Sequence, residues 1–179
     1  MINPQITHLW LYRFGYIGIC LFAYFIGLLP LEIGELHWGT PDLVLGFAFC
    51  WVLRRPDYVP MVIVCIAFLL ADFLFTRPPG LWATISLLAV EFLRHREPHA
   101  RDMPFLVEWA MIAALLLGMA IVYRLAHAIF IMPSTSLGLV ILQQISTLLF
   151  YPMIVLCSGI VMRVTKITSA EAEITGHTG

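Results

Sequence analysis

Two charged residues lie within long apolar segments of this 179-residue sequence, where their side chains could do chemistry. Asp72 lies about one turn from the end of one apolar segment, and Arg124 lies about two turns from the end of another. Because a charge in an apolar medium is costly unless it is paired, the two residues could form a buried ion pair. Alternatively, Asp72 caps a helix or pairs with the nearby Arg77, while the Arg124 side chain extends toward water.

Two patterns with four-residue spacing could bring helices together. The first is a polar stripe that could form hydrogen bonds between helices or, alternatively, line a substrate path. It consists of Gln143, Thr147 and Tyr151. The second is a ridge of small side chains that lets two helices approach closely. It consists of Ala110, Ala114 and Gly118. Internal packing or a partner helix would explain the ridge, and the need of short helices to pack tightly favours internal packing.

Other charged residues lie at the ends of apolar segments, where long side chains can reach an aqueous boundary. The arginines at 54–55 are expected to extend to that boundary, and Glu108 could meet Arg101 or lipid head groups there. Glu91 precedes Arg94 by three residues, a spacing typical of an ion pair on one helix face.

The sequence lacks the common catalytic and metal-binding motifs. It contains no nucleophile elbow, Walker loop, His–Glu metal signature or pair of catalytic carboxylates. The four cysteines form no CxxC or Cys/His spacing, so neither a disulfide framework nor a zinc site is indicated. A net charge of -1 gives no basic excess for nucleic acid. We therefore expect no enzymatic activity, no cofactor, no bound metal and no nucleic-acid partner.

The composition is typical of an integral membrane protein. Hydrophobic residues make up 61% of the chain and charged residues 12%, whereas soluble domains contain about 25% charged residues. The mean hydropathy is +0.92. Apolar segments predict an all-α bundle of six transmembrane helices in one domain over 1–164. The predicted helices cover about 9–31, 41–53, 59–76, 81–93, 105–132 and 137–164. The polar tail at 165–179 is expected to be disordered in the cytoplasm.

The distribution of basic residues predicts the orientation of these helices. Eight of the ten Lys and Arg residues fall on one side of the predicted topology: Arg13, Arg54, Arg55, Arg94, Arg96, Arg101, Arg163 and Lys166. Arg77 falls on the other side. By the positive-inside rule, both termini are expected in the cytoplasm. A five-helix alternative, with 41–53 as a re-entrant segment, would place the basic loop at 94–101 outside, which the rule disfavours.

The stretch at 41–56 resembles the signature of the rod shape-determining protein MreD family. That family carries a proline, a short leucine-rich helix, a tryptophan ten positions after the proline and a second proline five positions later. Pro41, Trp51 and Pro56 match this spacing. The arginines at 54–55 make the stretch more basic than is usual in the family.

Two further segments are similar to motifs of the same family. Asp72 is followed by Gly80 after a short loop, and Tyr151 and Pro152 form an aromatic–proline pair before a basic end. The chain departs from the family where glycines are usual one and two turns before the aspartate. The residues there are Phe68 and Val64. This departure concerns the packing around the third helix and leaves the expected topology unchanged.

The resemblance implies a multi-pass scaffold subunit of the bacterial inner membrane, without enzymatic activity. It would act in the cell-elongation (rod) complex, bind MreC and link MreB filaments to lateral-wall peptidoglycan synthesis and cell shape. RodA, a class B penicillin-binding protein and membrane lipid are further implied partners. The candidates for structural or partner-binding roles are Pro41, Trp51, Pro56, Asp72, Gly80, Ala110, Ala114, Gly118, Arg124, Tyr151 and Pro152.

A second resemblance leads to another class of function. Six short helices are also similar to the substrate-binding subunits of energy-coupling-factor vitamin transporters. That alternative requires a polar pocket that opens outward between helices, with aromatic and hydrogen-bonding side chains around a vitamin-sized space. The short loops predicted on the outer side favour the scaffold over the transporter.

Overall fold

The computed structural model describes residues 4–29, 40–101, 103–129 and 137–160. These residues form six α-helices and one 3-10 helix, without a strand among them, so the predicted all-α fold is confirmed. The helices are α1 (Pro4–Leu28), α2 (Leu43–Arg54), α3 (Met61–Leu74), α4 (Leu81–Ala100), α5 (Phe105–Ile129) and α6 (Leu137–Ile160). The 3-10 helix covers Pro56–Tyr58 between α2 and α3.

Three helical stretches are long and apolar enough to cross a membrane: Thr7–Leu28, Phe105–Ile129 and Gly138–Ile160. Helices α2 and α3 are apolar but contain only 12 and 14 residues. At 1.5 Å per residue they are about 18 and 21 Å long, less than the roughly 30 Å hydrocarbon thickness of a bilayer. The length and apolar composition of the three long helices indicate a membrane protein.

The short helix α2 lies at the centre of the bundle. Ten of its 12 residues are buried, and it packs against α1, α4 and α6. A helix that is buried on all sides is apolar on all sides, which explains why α2 has no polar face. Since α2 is surrounded by protein, its length need not match the thickness of the lipid.

Contacts between helix ends show that the chain runs back and forth between two ends of the bundle. At one end, Arg13 of α1 donates to the carbonyl of Asp57 at 3.3 Å. Arg94 of α4 donates to the carbonyls of Pro56 and Val59 at 3.3 and 2.7 Å. We call this the basic end; it contains the last residues of α2 and α4 and the first residues of α3.

The opposite end contains the last residues of α1, α3 and α5. Gly27 of α1 lies against the ring of Phe75, which follows α3. The rings of Trp82 in α4 and Tyr123 in α5 meet edge to face, with centroids 5.4 Å apart. Arg77 lies at this end, where its guanidinium is 5.2 Å from the centroid of the Trp82 ring.

Helix α4 is longer than predicted. It continues to Ala100, whereas the sequence placed its end at 93 and a basic loop over 94–101. Two ion pairs along the helix explain the difference, because pairs at this spacing stabilise a helix. Glu91 pairs with Arg94 at 3.2 Å, as predicted, and Glu97 pairs with Arg101 at 2.8 Å.

Helices α2 and α3 are both shorter than predicted. Helix α2 starts at Leu43 instead of Pro41, because Asp42 is the N-cap residue and its Oδ1 accepts from the amide of Leu45 at 3.1 Å. Helix α3 starts at Met61 and ends at Leu74, within the predicted 59–76. Its C-terminal end is followed by Thr76, whose φ of +51° cannot continue a right-handed helix.

The other predicted bounds agree only in part. Helix α1 starts at Pro4, five residues before the predicted start, and the described parts of α5 and α6 begin where predicted, at 105 and 137. The predicted helix ends at 30–31, 130–132 and 161–164 lie outside the described residues, as does the tail at 165–179.

Gly46→Leu is expected to lower the stability of the bundle. A Cβ at Gly46 would collide with Cδ1 of Ile154, so α2 and α6 approach closely there. Overpacking of this kind costs about 1–3 kcal/mol. Gly118→Leu is the matched control, because no atom lies within 4 Å of a Cβ at Gly118. The measurement is the midpoint of thermal loss of the monodisperse peak in detergent gel filtration. Equal midpoints for the two variants would contradict the close approach.

Candidate functional site

A buried ion pair at the basic end joins three helices. Nη1 of Arg54 in α2 lies 3.0 Å from Oε1 of Glu108 in α5. The hydroxyl of Tyr151 in α6 donates to the same oxygen at 2.5 Å. Arg54 is 6% exposed and Glu108 is 1% exposed, so water screens their interaction little. Nη1 of Arg54 also donates to the carbonyl of Cys50 at 3.2 Å, which folds the guanidinium back along α2.

The prediction that Arg54 extends to the aqueous boundary is therefore wrong. Its side chain bends into the bundle because Glu108 offers a carboxylate there, and Tyr151 fixes that carboxylate in place. The predicted contact of Glu108 with lipid head groups is wrong for the same reason. The sequence shows both charges near the ends of apolar segments, but it carries no signal that brings residues 54 positions apart together.

Trp51 links α2 to α6 and to a cluster of aromatic rings. Its Nε1 donates to Oγ of Ser158 at 3.0 Å, and both side chains are buried. The rings of Tyr16 and Tyr58 lie 5.7 and 6.5 Å from the Trp51 ring, centroid to centroid. Pro56 begins the 3-10 helix that places Tyr58 in this cluster. Trp51 and Pro56 thus act together at the basic end.

Pro152 makes a backbone acceptor available for another helix. A proline has no N–H, so the carbonyl four residues earlier in a helix loses its usual partner. In α6 that carbonyl belongs to Leu148, and it accepts from Nε1 of Trp109 in α5 at 3.1 Å. Tyr151 and Pro152 therefore both tie α6 to α5, one through a side chain and one through the backbone.

Asp72 connects the end of α3 to the start of α4. Its side chain is fully buried, and Oδ2 accepts from the amides of Gly80 and Ala83 at 2.9 and 3.1 Å. These amides have no partner within the helix, because the first turn has no preceding carbonyls. Gly80 has a φ of +85°, a conformation that residues with a Cβ rarely adopt. It lets the chain turn so that its amide points at the carboxylate.

The structure therefore favours capping over the predicted pair between Asp72 and Arg124. No ion pair joins these two residues in the part of the chain that the structure describes, and Nε of Arg124 is buried there without a hydrogen-bond partner. Arg77 also pairs elsewhere: its Nη1 lies 4.0 Å from Oδ2 of Asp42. Asp72 finds its partners closer in sequence, in the turn that follows α3.

Asp42 joins the starts of α2 and α4 to the middle of α6. Besides capping α2, it accepts from Nε1 of Trp82 at 3.2 Å through Oδ2. Its backbone amide donates to Oγ1 of Thr147 at 2.9 Å. Sequence reasoning missed this residue, although an aspartate before an apolar run is a recognised helix-start signal. Thr147 and Tyr151 thus make the predicted bonds between helices, while Gln143 lines cavities.

Two cavities meet at Arg77 at the opposite end of the bundle. One, of about 280 Å³, is lined by Tyr24 of α1 and by Asp42. The other, of about 340 Å³, lies between the start of α4 and the helices α5 and α6, where Trp82 and Gln144 line it. Both cavities are lined by Phe75, Arg77, Leu139 and Gln143.

The ridge of small residues on α5 faces outward. Ala110 and Ala114 are exposed, and a Cβ at Gly118 would meet no atom within 4 Å. The expectation of internal packing is therefore wrong. Helices α4 and α6 pack on other faces of α5, which carry buried residues such as Ile112 and Leu116.

Comparisons with known proteins returned no relatives. A scan against protein-family models, a search of curated proteins and a search of solved structures each gave no match. Within the described residues, no group of three or more His, Cys, Asp or Glu side chains is placed to hold a metal ion.

Breaking the buried ion pair on one side is expected to be strongly destabilising. Arg54→Met would leave the Glu108 carboxylate buried without its cation, and such losses cost about 3–5 kcal/mol. The double variant Arg54→Met with Glu108→Gln should recover most of that loss, because it removes both charges and keeps an acceptor for Tyr151. Equilibrium unfolding in mixed micelles measures the free energies of the two single variants, Arg54→Met and Glu108→Gln, and of the double variant. Additive losses in the double variant would show that the pair is not coupled.

Asp72→Asn is expected to destabilise the start of α4 by about 1 kcal/mol, since a neutral amide oxygen replaces the charged acceptor of two backbone amides. Arg124→Gln should not lower the free energy of unfolding, since Arg124 does not pair with Asp72 and its buried Nε has no partner to lose among the described residues. The same micelle titration tests both variants. Matched losses in the two single variants, with no further loss in the double, would restore the intramembrane ion pair.

Proposed function

We propose that this chain is a non-enzymatic scaffold subunit of the MreD type in the inner membrane of a bacterium. It spans the membrane six times with both termini in the cytoplasm, binds an MreC-like membrane protein and serves the cell-elongation complex. Through that complex it links MreB filaments to the wall synthases of the RodA and class B penicillin-binding protein types. Its role is to hold partners in place.

The observation that carries the proposal is that all three sequence motifs of the resemblance make contacts between helices or across a turn. Trp51 bonds to Ser158 between α2 and α6. Asp72 bonds to the amide of Gly80 between α3 and α4. Tyr151 bonds to Glu108 between α6 and α5. Motif residues that hold a bundle together are typical of a shared fold, which supports the family assignment.

The two ends of the bundle support the proposed topology. Arg13, Arg54 and Arg94 lie at the basic end, and Arg77 lies at the opposite end. Under the positive-inside rule, the basic end faces the cytoplasm. The shortness of α2 is compatible with six crossings, because neighbouring helices and not lipid surround it.

The outward surface of α5 supports a role in binding membrane partners. Leu106, Leu117 and Leu125 on this helix are 74%, 63% and 57% exposed, so they meet lipid or another protein in a bilayer. The small residues of the ridge lie on the same helix. They would let a partner helix come close enough for dispersion contacts, which drive helix association where lipid removes the hydrophobic effect.

A substrate-binding subunit of an energy-coupling-factor vitamin transporter is the second candidate. The two cavities favour it, because they combine aromatic side chains with polar groups. Their volumes, about 280 and 340 Å³, lie at the lower limit of ordinary small-molecule sites. The motifs that resemble MreD outweigh this observation.

The test is co-purification with the MreC-like protein of the same bacterium after expression of both in one membrane. We expect capture by the wild-type chain, and at least a five-fold loss of capture for Gly118→Leu at unchanged yield of the monomer. Gly18→Leu is the matched control, because Gly18 is exposed on α1 and a Cβ there also meets no atom within 4 Å.

The possible outcomes test the α5 ridge as a docking surface separately from the scaffold function. Equal capture by both variants and wild type would remove the ridge on α5 as the docking surface while retaining the scaffold. Absence of capture by the wild-type chain, together with thermal stabilisation by a vitamin, would replace the scaffold with the transporter subunit.

A further inference from the structure

The cavity between α4, α5 and α6 has polar groups that its own walls do not satisfy. Its volume is about 340 Å³. The side chains that bring polarity to it are those of Arg77, His127, Gln143 and Gln144, and Trp82 and Tyr123 bring aromatic surface. The described lining contains no carboxylate, although Oδ2 of Asp42 lies 4.0 Å from Nη1 of Arg77 and accepts from Nε1 of Trp82.

The guanidinium of Arg77 is positioned by stacking more than by hydrogen bonds. It lies over the rings of Phe75 and Trp82, 5.5 and 5.2 Å from their centroids. Its ion-pair partner is Asp42, at 4.0 Å, beyond hydrogen-bond length. No residue in the described ranges accepts a hydrogen bond from the Arg77 side chain. Stacking therefore fixes the planar group while its N–H donors are left for another acceptor.

Gln144 lines the same cavity, and the oxygen of its side-chain amide has no partner in the described part of the chain. Its side chain is 8% exposed, and Oε1 is buried without a hydrogen-bond partner among the described residues. A buried polar atom without a partner costs about 1–3 kcal/mol, so a rotation of the side chain that turned Oε1 toward a donor of a bound ligand would recover that cost. Gln143 lies one residue earlier and lines the same space.

We infer that this cavity binds a phosphate ester that carries hydroxyl groups. The phosphate would accept hydrogen bonds from Arg77, whose fork of N–H donors matches an oxyanion. The hydroxyls would donate to Gln144 and exchange hydrogen bonds with Gln143. Two sources share this chemistry: the phosphoglycerol head group of a lipid and a soluble glycerol phosphate. The site goes beyond the scaffold role and does not depend on it, because its residues are not those of the α5 ridge.

The experiment measures the thermal midpoint and native mass spectrum of the purified chain in a neutral detergent. The added ligands are phosphatidylglycerol, phosphatidylcholine, glycerol phosphate, inorganic phosphate and a vitamin mixture. We expect binding of phosphatidylglycerol or glycerol phosphate at least ten-fold tighter than binding of phosphatidylcholine. Preference for phosphatidylglycerol over glycerol phosphate would identify the lipid as the source, and the reverse would identify the soluble ester.

Variants at the cavity decide whether that binding occurs there. Arg77→Gln and Gln144→Leu should each weaken binding at least five-fold. Arg96→Gln is the matched control, since Arg96 also stacks over a phenylalanine, Phe92 at 5.4 Å, but belongs to the C-terminal half of α4 near the basic end. If Arg77→Gln fails to fold, Gln144→Leu alone decides. Equal binding by wild type and Gln144→Leu, no binding of either ester, or stabilisation by a vitamin alone would overturn the inference.

Discussion

The arrangement of the bundle depends on one requirement: charges and backbone amides buried away from water must find partners inside the protein. The ion pair between Arg54 and Glu108 is the strongest case, because both side chains are almost fully buried. Desolvation of two charges offsets most of their attraction, so the pair adds less to stability than to specificity. Any packing that separated α2 from α5 would leave a charge in an apolar interior. Tyr151 extends this constraint to α6, and three helices are thereby fixed in one arrangement.

The same requirement explains the aspartates at the opposite end. Helices α2 and α4 begin inside the bundle, next to other helices, where water is a poor source of acceptors for the first-turn amides. Asp42 caps α2 from the adjacent position in the chain, and Asp72 caps α4 from the preceding helix. Both carboxylates then fix tertiary structure as well as a helix end, since Asp42 also holds Trp82. Pro152 creates the opposite need, because it leaves the carbonyl of Leu148 without a helical donor. Nε1 of Trp109 donates to that carbonyl.

The sequence predicts the helices better than it predicts their contacts. Apolar segments bounded by proline and charge reveal six helices, because these signals are local. The sequence does not predict the extension of α4 to Ala100, although Glu97 and Arg101 show helical spacing, because a run of charged residues is equally typical of a loop. Arg54 and Glu108 could not be matched from the sequence, since either charge could equally have reached water or another partner. The sequence favours internal packing for the ridge at Ala110, but the structure exposes it. Small side chains permit close packing without specifying which helix they pack against.

The polar residues therefore fall into two groups with different roles. At the basic end, Arg54 and Tyr151 both bond to Oε1 of Glu108, and these contacts tie three helices together. At the opposite end, Arg77 is held mainly by aromatic rings, and Gln144 lines a cavity and carries a buried oxygen without a partner among the described residues. Stability alone would favour an apolar residue at position 144, because a buried amide without a partner is a cost. The proposed ligand would supply a partner for this amide and for the guanidinium of Arg77, whereas Asp42 and Asp72 at the same end already have structural partners.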